Sequence, residues 1–120
     1  MGDMKDNKKQ SEDILNLSAL EGDILTVLLA RERYGLDILN RLNPSRPTPL
    51  SFGSLYPALN RLEKKGLIQW RWGDEQEETG GARRKYYKVT GLGANVLNEW
   101  QTYRAQLAMQ AQGSTALGGI

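Results

Sequence analysis

The 120 residues contain no cysteine and no histidine. Disulfides, Cys/His zinc sites, haem ligation by either residue and every catalytic triad or dyad built on them are thereby excluded. What is left for catalysis is carboxylates, lysine and arginine, and no spacing of these assembles a catalytic constellation, so an enzyme is not expected. Long apolar runs are also missing. The longest, Ile24 to Ala30, is interrupted by Thr26 and is far short of a membrane span. The polar, mixed-charge start, Met1 to Asp13, has no secretory pattern, which leads to an expectation of a cytoplasmic protein. Proline is scarce and concentrated: three of the four fall in Asn43–Pro49, a stretch that cannot sustain a helix.

Charge is close to balanced, at +2, but unevenly placed. Between Arg33 and Trp72 stand seven cations and two anions, and between Arg83 and Lys88 four cations and no anion. Four carboxylates crowd into Asp74–Glu78. A basic centre suits a polyanionic partner, although a solvated surface has the same composition.

Periodicity gives an order of elements. Ser18-Ala-Leu-Glu21 has the spacing of a capping box and opens a helix with Leu20, Ile24, Val27 and Leu28 on one stripe, widened by Leu25 and Leu29. Ile14, Leu15 and Leu17 are placed to extend it backwards. A short helix follows over Tyr34–Leu42, with Leu36, Leu39 and Leu42 marking a face that Ile38 joins. A third carries Leu55, Leu59 and Leu62 at i, i+4 and i+7 and ends at Lys64-Lys65-Gly66, cations at the negative end and a glycine suited to a left-handed cap. Pro57 predicts a late start or a kink in it. The period then falls to two: Leu67–Trp72 and Arg84–Val89 predict paired strands, and a long helix follows to about Gln112.

This order predicts an α+β, mainly α fold: a winged helix-turn-helix with a long C-terminal dimerisation helix. Its divisions are a flexible tail over 1–13, a winged-helix domain over 14–91, the dimerisation helix over 92–112 and a second flexible tail over 113–120.

At 100° per residue, the buried face of the third helix holds Leu55, Leu59 and Leu62. Gly53, Pro57, Asn60 and Lys64 lie opposite, flanked by Ser54, Tyr56 and Arg61. Small residues let the helix start approach a groove floor. Free amides there, with the hydroxyls of Ser51 or Ser54, suit phosphate. Tyr56 can donate to phosphate, and Asn60 and Arg61 can read base edges. Arg83, Arg84 and Lys85 place cations on both sides of a strand beside that helix. The acidic run Asp74–Glu78 opposes DNA contact by the tip of the loop.

On these residues the chain resembles the PadR family of winged-helix transcriptional regulators. The resemblance rests on Tyr34-Gly35, on Ser54-Leu-Tyr-Pro-Ala-Leu-Asn-Arg-Leu-Glu-Lys-Lys-Gly-Leu-Ile68, and on Gly81, Arg84-Lys-Tyr-Tyr-Lys-Val-Thr90 and Gly93. It implies a homodimeric repressor of double-stranded DNA, with Ser51, Gly53, Ser54 and Tyr56 approaching the duplex and Arg83–Lys85 forming the wing contact. No metal or other cofactor is expected.

Val96, Trp100, Tyr103 and Leu107, spaced by four, three and four, form the seam of a helix pair and are the expected dimer interface; packing on the chain's own first helix is the competing use. The resemblance also implies a small flat aromatic effector in some compact members, for which Trp100 and Tyr103 are the candidate contacts. The alternative to DNA binding is a winged-helix module that presents the same surfaces to a protein partner.

Overall fold

A computed structural model describes residues 15–74 and 83–118, of which 114–118 are described by backbone alone. The elements run α1 (Ala19–Ala30), β1 (Arg33–Tyr34), α2 (Gly35–Leu42), a 3-10 turn (Asn43–Ser45), α3 (Phe52–Lys64), β2 (Ile68–Trp72), β3 (Lys85–Val89) and α4 (Gly91–Gly118). The winged-helix architecture expected from the sequence is present. The tail over 1–13, the loop from Glu75 to Glu78 and Gly81 lie outside the described residues.

The capping box forms: the Ser18 hydroxyl accepts from the Glu21 amide at 3.1 Å, and the Glu21 carboxylate accepts from the Ser18 amide at 2.9 Å. Residues 16–18 are not helical, so α1 is not extended backwards through them, although Leu17 is buried. Ile24, Leu25 and Leu28 point into the core. Leu29, expected on the same stripe, is 48% exposed.

In α2 the inward side chains are Ile38, Leu39 and Leu42, while Leu36 is 47% exposed. Of the four side chains expected on this face, Leu36 is the one that does not turn inward. At 100° per residue Ile38 and Leu42 lie about 40° apart, and Leu36 falls well outside that sector. The proline loop is clamped by Asn43, whose side chain accepts from the Leu50 amide at 2.7 Å and donates to the Leu50 carbonyl at 3.2 Å. Both ends of the loop are thus tied together, which fixes where α3 begins.

Helix α3 starts at Phe52 and continues through Pro57, so the late start is not found. Pro57 is solvent-exposed in the second turn, and its ring forgoes only the bond to the Gly53 carbonyl. Leu55, Ala58, Leu59 and Leu62 are fully buried. Gly66 closes the helix in the left-handed region, φ 76°.

The sheet has three strands, not two, in the order β1-β3-β2, all antiparallel. The two-residue β1 pairs Arg33 with Tyr87 and Tyr34 with Tyr86. Tyr87 is the core tyrosine; burial, with Tyr56 and Glu63 nearby, pushes its phenol up to about 12, so it stays neutral. Helix α4 packs its first turns on α1 through Val96, Leu97 and Trp100 and then projects past the domain. It does not end near Gln112. Residues 113–118, expected as tail, are helical, since an isolated glycine weakens a helix by only about 1 kcal/mol and no proline follows.

Candidate nucleic-acid interface

The start of α3 is built by Ser51. Its hydroxyl caps the helix, accepting from the Ser54 amide at 3.3 Å and donating to the Ser54 hydroxyl at 3.4 Å. The Ser54 and Leu55 amides also reach the Ser51 carbonyl, at 3.2 and 3.0 Å. With these taken, the amides of Phe52 and Gly53 are the ones a ligand can use at this helix end.

Tyr56 stands one turn further along. Its ring is stacked on Phe52, centroids 5.7 Å apart and 18° between planes. The Tyr56 hydroxyl lies over Gly35, where an added Cβ would come within 2.6 Å of it. The Tyr34-Gly35 pair therefore has a physical role: without a side chain at 35, α2 and α3 approach closely enough to brace Tyr56. Asn60, Arg61 and Lys64 continue the exposed side of α3. Among the described residues, no carboxylate pairs with Arg61, Lys64 or Arg83.

Other cations are committed to the fold. Arg33 is buried, pairs with Asp37 at 3.1 Å and donates to the Val27 carbonyl at 2.9 Å. Lys65 reaches Glu21 at 2.8 Å and the Asn16 carbonyl at 3.3 Å, tying the end of α3 to the start of α1. Burial alone would raise the Glu21 carboxyl, but the hydrogen bond from Lys65 and those from Ser18 outweigh it and hold it below its usual range. Arg71 grips Glu32 by hydrogen bonds that hold that carboxyl low as well.

The wing base is an aromatic and cationic layer. Arg84 lies over the Tyr34 ring at 4.5 Å, and Lys85 over Trp70 at 3.9 Å. Trp70 also meets Trp72 edge-on at 5.3 Å and donates to Glu63 at 3.0 Å. These contacts hold the charged heads of two wing cations against aromatic rings at the base of the wing. Tyr34, Gly35, Leu36, Phe52, Tyr56, Trp72, Arg83, Arg84 and Lys85 line one groove of about 450 Å³. The start of α3 and the cationic strand end, far apart in the chain, are its two walls.

Phe52, Leu36 and Trp72 were not among the residues expected at this surface. The available signal was Phe52's place directly after the capping serine, at the margin of the buried sector. The seam of α4 is divided. Val96 is 3% exposed and is used by the chain's own core, while Tyr103 and Leu107 are 59% and 43% exposed. Trp100 is half-buried over Gly22, where a Cβ would come within 2.5 Å of the ring, and Arg104 lies 5.3 Å above it. A flat effector at Trp100 would have to share the ring with these groups.

Helix-turn-helix, braced third helix and cationic wing together define a winged-helix protein of the kind that regulates transcription. Residues 24–99 match the model of the transcriptional regulator PadR-like family, and the chain belongs to that family of non-enzymatic regulators. The fold is similar to that of a PadR-like transcription factor from Bacteroides fragilis, with TM-score 0.69 and 29% identity, covering 92% of this chain and 97% of the other. A PadR-like regulator from Bacillus cereus gives 0.68 and 32%, covering 78% and 88%. Bacillus subtilis PadR, solved in complex with operator DNA, shares the fold at 0.61 and 24% identity, covering 72% of this chain and 48% of that one. These matches show the family and single out no individual member of it. Among the described residues no helix is long and apolar enough to cross a membrane.

Proposed function

We propose that the protein is a homodimeric repressor that binds an inverted-repeat operator. In this reading α3 enters the major groove, with Asn60 and Arg61 toward base edges and Ser51, Gly53, Ser54, Tyr56 and Lys64 toward the strand beside them. Arg83, Arg84 and Lys85 neutralise the phosphates that flank that groove. The observation that carries it is the shared groove: Tyr56 from α3 and Arg83–Lys85 from the wing face one space, so one extended polyanion touches both. The second protomer is supplied by the exposed part of the α4 seam, Tyr103 and Leu107. A dimer seated on a promoter excludes polymerase by occupancy alone.

Binding to random-sequence duplex, titrated against salt, tests this. The DNA reading expects log Kobs to fall linearly with log salt, at about 0.9 per phosphate neutralised. A flat slope, or no binding at low salt, would favour the use of the same surfaces for a protein partner.

A further inference from the structure

From the groove between α3 and the wing we infer that Phe52 is a specificity-determining residue, which packs on the C5-methyl group of a thymine in each operator half-site. The inference rests on the DNA-reading proposal above.

Phe52 is the first residue of α3, the end that leads into a groove. Its neighbours Ser51, Gly53 and Ser54 are too short to reach beyond the helix backbone, so Phe52 is the long side chain there. It is 43% exposed, yet it is not loose: one face is stacked on Tyr56, which is itself braced over Gly35. A ring held in this way loses little further freedom when a ligand meets its open side.

Single exposed apolar side chains are ordinary on protein surfaces. Here Leu36, Phe52, Tyr56 and Trp72, each substantially exposed, line one groove with the cations Arg83, Arg84 and Lys85. That combination selects the occupant. A nucleic-acid strand offers anionic phosphate to the cations. Toward the apolar side chains, the major groove offers hydrogen-bonding atoms at every base and one apolar group, the thymine methyl. Phenylalanine can make no hydrogen bond that would distinguish the others. Any other base at that position leaves polar edges against the ring, so thymine is favoured both by contact and by the desolvation that its competitors incur.

The test uses the full chain and duplexes selected by it from a random pool. In the tightest selected duplex, each thymine is replaced in turn, symmetrically in both half-sites, by deoxyuridine, which lacks only the methyl. Wild type should lose affinity at one position, by about fourfold per half-site and about fifteenfold for both, the effect of exposing one buried methyl group in each. Phe52→Ala should bind the thymine and deoxyuridine duplexes equally, and Phe52→Leu should keep a preference for thymine. Thermal melts followed by circular dichroism check that the variants fold; should Phe52→Ala fail to fold, the wild-type comparison and Phe52→Leu still decide. Wild-type indifference to deoxyuridine at every position, with binding intact, overturns the inference and leaves the DNA reading standing. A thymine preference that survives in Phe52→Ala assigns the methyl contact elsewhere and also overturns it. If no duplex is selected at all, the DNA reading fails and this inference fails with it.

Discussion

Glu21 belongs both to a local cap and to a tertiary ion pair. Its side chain is 4% exposed and that of Lys65 18%. Removing one member of such a pair strands the other, a loss of about 3 kcal/mol. Glu21→Gln should lower stability in urea by about that much at pH 7. Because its folded pKa is depressed, the carboxylate's contribution is complete above the unfolded value of 4.5 and disappears as pH falls through the lower, folded value. Wild type should therefore lose stability below about pH 4.5, and Glu21→Gln should lose less over the same window. Equal urea midpoints at pH 7 would show that the pair contributes nothing. At the proposed DNA surface, Arg84→Ala and Lys85→Ala should each reduce the salt slope by about one unit, for all duplexes alike. Asn60→Ala or Arg61→Ala should instead cost about 1–3 kcal/mol of discrimination at one base pair. Competition titrations against selected and scrambled duplexes separate the two effects, and the opposite pattern would exchange the roles of wing and helix.

At the scale of the element, Pro57 makes a clean case. The residue is exposed, so its replacement loses no packing. Pro57→Ala restores a donor for the Gly53 carbonyl. An interior proline costs a helix about 3 kcal/mol, and proline regains about 1 kcal/mol by restricting the unfolded chain. The substitution should therefore stabilise the protein by about 2 kcal/mol, read as a higher urea midpoint with an unchanged slope. A lower midpoint would mean that the ring has a role in packing. The same helix shows what a sequence makes legible. Leu55, Leu59 and Leu62 share a face because helical geometry is local, and the capping box at Ser18 and Glu21 is local too. Strand β1 has two residues, too few to display a period, and it exists only because β3 offers Tyr86 and Tyr87 as partners. The i, i+3 spacing of Leu36 with Leu39 points it inward, but in an eight-residue helix two nearby stripes fit equally well. The groove joining Phe52 to Arg83–Lys85 is tertiary, and no spacing along the chain encodes it.

For the whole molecule, the radius of gyration is 17.7 Å, whereas a compact chain of this length has about 13–14 Å. Helix α4, 28 residues long, leaves Tyr103, Leu107 and Met109 exposed. Light scattering at micromolar concentration should give twice 13.5 kDa. Leu107→Glu, which touches only the exposed part of the seam, should give the monomer mass with the melt of the domain retained. Trp100 is a poor choice for that purpose because it already packs on α1. The proposed dimer should read half-sites about 10 base pairs apart, centre to centre, and five inserted base pairs should reduce binding to the non-specific level. Indifference to the insertion would mean that a single protomer reads DNA. The packing of Trp100 on Gly22 also has a mechanical consequence. Beyond Trp100, α4 is a lever roughly 27 Å long, at 1.5 Å per residue to Gly118. A tilt of about 10° at its fulcrum swings the tip by about 5 Å, more than one base-pair step of roughly 3.4 Å. In the proposed dimer, small changes in volume under one tryptophan ring would thus be geared up into changes in the distance between the two reading heads.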